Sequence, residues 1–456
     1  MDLDPLLLSR IQFGFVVSFH ALFPVFTIGL AAFIAFLETR LYITKNPIYE
    51  RLSLFWTRIF AVVFGMGVVS GLVMSFQFGT NWSNFSYATA NFLGPVLSYE
   101  VITAFFLEAA FLGVLLFGRH KVPQGAHLFS ALMVSLGTFI SSFWILSANS
   151  WMQSPVGFEL QQGVVHVTDW MAAIFNPTFW PRFFHMAVAS VLTAGFVVAG
   201  VSAWYLLRGR EVELNKKALS MTLWVLLIAA PLQLVVGDVH GLSSFKHQPM
   251  KVAAMEGVWE TQQGAPLLLF AIPDQANETN HFEIGIPKGA SLILTHEWDG
   301  EIRGLKEIPA EQRPPVLPVF FAFRLMIGIG LLMIGFALWG LWLRRGARYH
   351  QSRPFLHGLS WMIPGPFLAV LAGWFVTEMG RAPWLIYEVM THAEGLTPSL
   401  SGGMALFTLL GYGAVYAVVF AAGVYYVVQV VRKGPEDLPP DTVPHAGTVA
   451  NANAHS

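Results

Sequence analysis

Two ionisable residues stand three positions apart at the end of a long apolar run. Glu378 and Arg381 lie in the stretch from Gly373 to Trp384, where apolar sequence gives way to polar sequence. Residues three apart share one face of a helix, so the carboxylate and the guanidinium can interact. An ionisable side chain at membrane depth is costly, which makes this pair a functional-site hypothesis. The alternative is an interfacial ion pair that anchors a helix end.

Two histidines and one methionine are candidate iron ligands. His20 and His185 are the histidines that fall within apolar segments and away from the predicted cytoplasmic edge. The chain has no cysteine, which excludes a thiolate ligand and leaves imidazole as the natural ligand for a haem between helices. Met326 lies two residues after Arg324, whose charge requires an anion such as a haem propionate. A His185/Met326 pair would hold a six-coordinate, low-spin haem.

These ligand assignments have simpler alternatives. A lone histidine in a helical bundle is often hydrogen-bonded to a neighbouring helix, and a methionine in a membrane helix usually serves packing. The absence of cysteine and the presence of two such histidines favour the ligand interpretation.

A further apolar segment carries Glu100 and Glu108, eight residues apart. In a regular α-helix this spacing separates them by about 80° around the axis and roughly 12 Å along it. Buried carboxylates at stepped depth suit a proton relay, because each can exchange a proton without holding a permanent charge in lipid. Structural hydrogen bonding to serine, threonine or asparagine on the following segment is the alternative.

The composition places these residues in a membrane. Of 456 residues, 55% are hydrophobic and only 12% are charged, which is unlike an ordinary soluble domain. Apolar runs of eighteen or more residues recur, and they predict an all-α, polytopic membrane bundle rather than a barrel. The net charge of −1, without a basic tract, gives no indication of nucleic-acid binding.

Nine transmembrane helices are predicted, at residues 11–37, 52–77, 95–117, 127–148, 183–207, 219–236, 317–343, 355–376 and 403–431. Lysine and arginine concentrate in alternate connections, so the positive-inside rule predicts a periplasmic N-terminus and a cytoplasmic C-terminus. No cleavable signal peptide is recognisable, so the first span is expected to stay.

Four regions follow from this topology. Residues 1–236 hold helices 1–6, residues 237–316 form a long periplasmic loop, residues 317–431 hold helices 7–9, and residues 432–456 are a disordered tail. In the long loop, Lys251 and Glu256 follow Asp238 and bring a cation and an anion close together. Taken alone, this pattern is typical of a solvated loop face.

The whole constellation resembles subunit I of the cytochrome bd quinol oxidases, over nearly the entire chain up to the tail. The resemblance is carried by Arg10 and His20; Tyr99-Glu100 and Glu108; Trp144-Ile145-Leu146 with Asn149 to Gln153; His185; Gly237-Asp238 with Lys251 to Glu260; Arg324 and Met326; and Trp374 to Trp384. Two features depart from the common pattern. Ala382 replaces the glutamine of the family's Gly-Arg-Gln-Pro-Trp motif, and the loop is the short form. Both are similar to the cyanide-insensitive subgroup.

The resemblance implies a quinol:oxygen oxidoreductase of the bacterial inner membrane that reduces O2 to water and builds a proton gradient without pumping. It implies a low-spin haem b on His185 and Met326. It also implies a high-spin haem b and a haem d, one on His20 and the other on Glu378, without saying which haem binds which residue. A b-type haem in place of haem d is the alternative. Glu108 and Glu100 would carry protons, with Glu100 beside the oxygen site.

The remaining implied contacts concern propionates, substrate and partners. Arg10, Arg324, Arg381 and Trp374 match positions at the haem propionates. Asp238, Lys251 and Glu256 match the quinol site, and the long loop matches the family's Q-loop. The expected partners are a second large membrane subunit, a very small single-span subunit in some members, and membrane lipid.

The sequence is also compatible with two other functions. A transporter or channel could bind cations with its membrane carboxylates, and it would contain no haem. A dihaem quinone-linked electron carrier without an oxygen site would contain only low-spin haem.

Overall fold

The computed structural model describes residues 3–435, and nine helices within them are long and apolar enough to cross a membrane. They are α1 (Pro5–Thr44), α2 (Pro47–Thr80), α3 (Ser83–Phe117), α4 (Gln124–Gln153), α5 (Phe179–Leu207), α6 (Val212–His247), α7 (Val316–Arg344), α8 (Arg353–Met379) and α9 (Gly402–Lys433). The prediction of an all-α bundle with nine spans is confirmed. Most of the predicted disordered tail, residues 436–456, lies outside the described residues.

Short elements fill the connections. The shorter helices are Trp170–Ile174, Pro249–Glu256, Gly289–Thr295, Leu305–Glu307, Ala310–Gln312 and His392–Gly395. The strands are β1 (Phe158–Gln161), β2 (Val164–Val167), β3 (Gln262–Gln263), β4 (Leu267–Asp274), β5 (Thr279–Ile286), β6 (Glu301–Ile302), β7 (Trp384–Ile386) and β8 (Met390–Thr391). They pair antiparallel as β1–β2, β3–β6, β4–β5 and β7–β8. Residues 248–315, between α6 and α7, form a folded unit that we call the loop domain.

Local sequence signals begin the first two helices. The side chains of Asp4 and Asn46 accept hydrogen bonds from the backbone N–H groups of Leu6 and Ile48, and a proline occupies the start of each helix. The capping oxygen satisfies a backbone donor that has no partner within the helix, and proline loses nothing there because its missing N–H would be unpaired.

The centre of the bundle is formed by α1 and α5. In the 18-residue apolar stretch of each helix, 67% of the residues of α1 and 72% of those of α5 are buried, compared with 11% for α9. Close approach of the two central helices depends on Gly29, where an added Cβ would lie 2.1 Å from the carbonyl oxygen of Ser190. Small residues permit such contacts in membrane bundles. The candidate ligands His20 and His185 therefore stand on the two most enclosed helices.

One boundary differs from the predicted span in a way that affects the site. The sixth span was predicted to end at residue 236, but α6 continues to His247. Gly237, Asp238 and His240 are consequently helical and lie outside the loop domain. Polar residues did not end the helix, because its last turns run along a cavity and the loop domain rather than emerging directly into water.

A buried ionic cluster lies at the end of the bundle opposite the loop domain. The Glu38 carboxylate of α1 is 1% exposed and accepts hydrogen bonds from Arg119 and Ser53. His127 of α4 places Nδ1 3.1 Å from the second oxygen of Glu38 and Nε2 3.2 Å from the carbonyl oxygen of Leu115. The cluster joins α1, α2 and α4 to the connection after α3.

We expect Arg119→Met to destabilise the protein, because it leaves a buried carboxylate without its cation. Breaking one partner of a buried pair costs about 3–5 kcal/mol. Thermal denaturation of the purified complex would show a lower midpoint. Adding Glu38→Gln should recover part of the loss, and Lys121→Met, at an exposed position of the same connection, is the control. A single variant that matches this control would contradict the role assigned to the cluster.

Candidate functional site

One cavity brings together seven of the site residues predicted from the sequence. It has a volume of about 580 Å³ and lies between α5, α6, α7, α8 and the loop domain, with the end of α4 at its edge. The predicted residues that line it are His185, Asp238, Lys251, Glu256, Arg324, Met326 and Trp374. Two of the four candidate iron ligands, His185 and Met326, thus share one space with the candidate substrate residues, whereas His20 and Glu378 do not line this cavity.

Glycines keep the space beside the two candidate ligands open. A Cβ added to Gly237 of α6 would lie 3.4 Å from Cε1 of His185, and one added to Gly373 of α8 would lie 3.0 Å from the Met326 sulfur. The side-chain amide nitrogen of Gln233 lies 3.3 Å from His185 Nδ1. A Cβ at Gly373 would crowd the thioether, whereas one at Gly237 would just reach contact with the imidazole.

Several buried donors around this region lack an acceptor. Nε1 of Trp374, Nε of Arg182, and Nε and Nη1 of Arg381 are buried and have no hydrogen-bond partner among residues 3–435. A buried unpaired donor costs about 1–3 kcal/mol, and more when it is charged, so native proteins rarely leave them unpaired. An anionic group with several oxygens would satisfy these donors, and haem propionates are such groups.

The donor set as a whole fits a haem. An imidazole and a thioether face one largely apolar cavity, and unpaired cationic and indole donors lie close by. Among residues 3–435, no three His, Asp or Glu side chains come close enough to hold a bare metal ion. A macrocycle supplies four ligands of its own and needs only one or two from the protein.

Lys251 and Glu256 are buried, which rules out the solvated loop face that the sequence had left open. They are 3% and 4% exposed on the helix Pro249–Glu256. Nζ of Lys251 donates to Oε1 of Gln153 at 2.7 Å and to Oε1 of Gln248 at 2.6 Å. Burial, reinforced by nearby Arg182 and Arg381, lowers the pKa of Lys251 well below its usual value. Burial raises the pKa of Glu256, against the opposing effect of Arg324.

Arg324 obtains its anion from the loop domain. Its Nη2 lies 3.5 Å from the Glu256 carboxylate, Nε donates to the Leu268 carbonyl at 2.8 Å, and Nη1 donates to the Met255 carbonyl at 2.5 Å. The sequence predicted that Arg324 needs an anion, with a haem propionate as a suitable one, and the structure places the Glu256 carboxylate beside it. Arg10, by contrast, is exposed and does not line the cavity.

Three carboxylates contact α4 at successive depths. Glu108 packs against Gly137, where an added Cβ would lie 2.6 Å from Glu108 Cγ. Glu100 accepts a hydrogen bond of 2.7 Å from Ser141, and Glu378 accepts one of 2.8 Å from Asn149. These α4 positions are separated by roughly 6 Å and 12 Å along the axis. Glu378 also accepts a hydrogen bond from Arg381.

A π-helical turn at Val101–Phe105 places Glu100 and Glu108 on the same side of α3. The Phe106 N–H bonds to the Val101 carbonyl, five residues earlier. A regular α-helix would set the two carboxylates about 80° apart, whereas the wider turn lets both face α4. Such single π turns recur at functional sites. The sequence did not predict the turn, because its residues are ordinary apolar helix residues.

His20 is oriented by the neighbouring helix α2. Its Nδ1 lies 2.9 Å from Oγ of Ser70, and an added Cβ at Gly71 would lie 3.1 Å from its Cε1. The Ser70 carbonyl in turn accepts a hydrogen bond from Tyr416 of α9. A hydrogen bond at one ring nitrogen fixes a histidine's orientation and leaves the other nitrogen for a ligand bond.

Two residues at the cavity were missed by the sequence reasoning. His240 lies in α6 rather than in the loop, and its ring centroid is 5.3 Å from that of His185. Arg182 is 5% exposed and reaches Oδ1 of Asn149 at 3.4 Å. The signal for Arg182, in the first turns of α5, was available, since it is the only lysine or arginine among residues 149–182. His240 was hidden by the misplaced end of α6.

The chain is similar to known proteins along nearly its whole length. A family model described as cytochrome bd terminal oxidase subunit I matches residues 8–435. The cytochrome bd ubiquinol oxidase subunit 1 of Bacillus subtilis (strain 168) is 37% identical, over 98% of this chain and 99% of the relative. The cytochrome bd-II ubiquinol oxidase subunit 1 of Escherichia coli (strain K12) is 33% identical, over 95% of this chain and 98% of the relative.

A solved structure is also similar along nearly the whole chain. The bd oxidase from Geobacillus thermodenitrificans superposes with a TM-score of 0.88 at 29% identity, covering 95% of this chain and 100% of that chain. The sequence and the fold both match along nearly the whole chain, and the chain therefore belongs to the cytochrome bd terminal oxidase subunit I family.

Proposed function

We propose that this chain is the haem-containing catalytic subunit of a bacterial inner-membrane quinol oxidase that reduces O2 to water. The observation that carries the proposal is the single cavity lined by both His185 and Met326 and by Lys251 and Glu256. Candidate iron ligands and candidate proton acceptors for quinol thereby border the same space. Family membership supports the reaction class, because the relatives in Bacillus subtilis and Escherichia coli are named ubiquinol oxidases.

The haem positions are proposed from the ligand chemistry. His185 and Met326 would hold low-spin haem b, and His20 and Glu378 would hold a high-spin haem b and a haem d, or a second b-type haem in place of haem d. When bound, these haems supply one-electron transfer and an open coordination position for O2. Arg381 and Trp374 would hold propionates with their unpaired donors. We assign Arg10 and Arg324 to propionates on the family resemblance alone.

Lys251 and Glu256 would handle the quinol. A hydroxyl group of quinol must lose its proton when it is oxidised, and an amine with a lowered pKa is available as a neutral acceptor. Burial favours that neutral form of Lys251. Glu256 is held by Arg324 beside the same cavity, and Asp238 of α6 lines it too. The short loop would thus act as the Q-loop of the family.

Protons for water would reach the oxygen site through Glu108 and then Glu100. Both carboxylates face α4, and Glu108 is buried with one oxygen unpartnered. With the N-terminus and the loop domain periplasmic, Glu108 lies deeper in the membrane than Glu100. Quinol protons would be released on the periplasmic side and protons for water taken from the cytoplasm. Charge would then be separated without a pump.

The partners follow from the family and from the exposed helices. A second large membrane subunit would complete the complex, with a very small single-span subunit and lipid as further partners. The two rival functions are less well supported. A cation transporter does not account for the unpaired donors at the cavity, and a carrier without an oxygen site does not account for the carboxylates along α4.

We expect His185→Ala to remove the low-spin haem b signal from the reduced-minus-oxidised optical spectrum while the complex still assembles. In our assignment the His185 imidazole is the only nitrogen ligand from the protein to this haem. His357→Ala, at an exposed position on α8, is the matched control. An unchanged low-spin signal in the His185 variant would refute this ligand assignment.

Lys251→Met should lower kcat/KM for quinol about tenfold or more, which corresponds to losing one hydrogen bond of ~1.5 kcal/mol to substrate. The same variant should raise the melting midpoint at neutral pH. Because burial lowers the folded-state pKa of Lys251, the unfolded chain binds its proton more tightly. Burying Lys251 therefore costs folding free energy, and this cost grows as the pH falls from the ordinary lysine pKa towards the folded-state pKa.

The stability gain should therefore shrink as the measurement approaches about pH 10, near the ordinary lysine pKa. Lys246→Met, at an exposed position at the end of α6, is the control for both measurements. Normal quinol kinetics in the Lys251 variant would remove this residue from the quinol site. A lower melting midpoint would show that its hydrogen bonds outweigh its burial cost.

Glu108→Gln should slow O2 reduction about 100-fold, the usual size of a lost proton-transfer group, without changing the haem spectrum. Glutamine keeps the shape of the side chain but cannot relay a proton. Oxygen consumption with excess quinol would measure the effect. If Glu108→Gln turns over at the rate of the unsubstituted enzyme, the relay must follow another route.

A further inference from the structure

The β4–β5 ribbon of the loop domain carries an exposed apolar face. Phe270 of β4 lies directly opposite Ile284 of β5, and Ile272 and Ile286 lie two residues further along their strands. All four side chains are exposed, with Ile284 62% and Ile286 51% accessible. A ribbon with one face in water normally alternates apolar inward and polar outward residues. This ribbon therefore presents large apolar side chains where polar ones are expected.

The other face of the ribbon is already used. Leu268 and Ala271 are buried and pack with Phe320 of α7 in a small apolar cluster. The ribbon therefore has two apolar faces. One packs against α7, and the exposed face is separate from it.

The ribbon runs along the first turns of a membrane-spanning helix. At its turn, Gln275 accepts a hydrogen bond of 3.2 Å from the N–H of Val316, the first residue of α7. At its open end, the carbonyl of Leu268 accepts a hydrogen bond of 2.8 Å from Arg324. The polar turn thus lies at the start of the helix, and the apolar end lies two turns deeper.

Helix geometry gives the depth of that end. Arg324 follows Val316 by eight residues, or roughly 12 Å along the axis. The 29 residues of α7 span about 43 Å, whereas the hydrocarbon core is about 30 Å thick. A centred α7 extends only ~7 Å beyond the core at each end. The open end of the ribbon therefore reaches the boundary of the hydrocarbon region.

The exposed face continues onto the outer surface of α7. The ring centroids of Phe270 and Phe321 are 6.0 Å apart. Leu317, Phe321 and Leu325 recur every four residues along α7, and all three are exposed. Residues at this spacing form one stripe of a helix, and an exposed apolar stripe on a spanning helix is suited to contact lipid acyl chains.

We propose that the bilayer covers this face, so that the ribbon is seated in the outer part of one lipid leaflet with Phe270, Ile272, Ile284 and Ile286 towards the acyl chains. The seat has a consequence for the site, because Arg324 donates both to Leu268 of the ribbon and to Met255 beside Glu256. Lipid would fix the position of the ribbon, and the ribbon is hydrogen-bonded to Arg324. Arg324 is in turn hydrogen-bonded to the helix that carries Lys251 and Glu256. The inference does not depend on the proposed catalytic roles.

Site-directed spin labelling tests the seat, since the chain has no cysteine of its own. Ile284→Cys would be labelled with a nitroxide in the intact complex in lipid nanodiscs, with the labelled unsubstituted complex as the blank. We expect high accessibility to O2, which partitions into lipid, and low accessibility to a water-soluble nickel chelate. Gln263→Cys on β3 and Asn277→Cys at the turn of the ribbon are exposed controls and should show the opposite pattern.

Two outcomes would overturn the proposal. Accessibility to the nickel chelate at residue 284 equal to that at residue 263 would place the face in water. Low accessibility to both reagents would mean that a protein subunit covers the face instead of lipid. An unchanged haem spectrum checks the fold of each variant, and Ile286→Cys provides a second site if the first fails to assemble.

Discussion

The Arg324 guanidinium connects the parts of the structure that must act together. It stands within a membrane-spanning helix, where an unpaired charge is costly. Its partners are the Glu256 carboxylate and the backbone carbonyls of Met255 and Leu268, all from the loop domain. Pairing one partly buried cation therefore holds a folded unit of the chain against the bundle. Arg324 and all three of its partners line the cavity, so this contact forms part of its wall.

The same constraint explains the arrangement of the acidic residues. Glu100, Glu108 and Glu378 lie in or at the end of apolar helices, and each contacts α4, two of them through a hydrogen bond from Ser141 or Asn149. Carboxylates placed in this way can be held neutral or charged by small changes in their surroundings. If α4 served only to pack against its neighbours, apolar residues would be sufficient at these positions. The use of α4 as a common support at three depths is consistent with proton transfer along it.

Buried charge near the cavity also implies a trade between stability and function. Lys251 is enclosed with two glutamine side chains as acceptors, while Arg381 keeps buried donors unpaired. Each arrangement costs folding free energy in the protein alone. Groups that bind in the cavity would recover that cost, which ties the stability of the bundle to the binding of its cofactors and substrate.

The sequence by itself determined the nine spans and the family, and it predicted seven of the residues that line the cavity. Hydropathy and the absence of cysteine are properties of composition and local order, so they do not depend on packing. Tertiary structure alone decided that Arg324 pairs with Glu256, that Lys251 is buried, that His240 joins His185, and that a π turn brings Glu100 and Glu108 to one side of α3. These contacts join residues distant in the chain or depend on helical phase. A local pattern cannot specify them, because phase and distance are set by how whole helices pack.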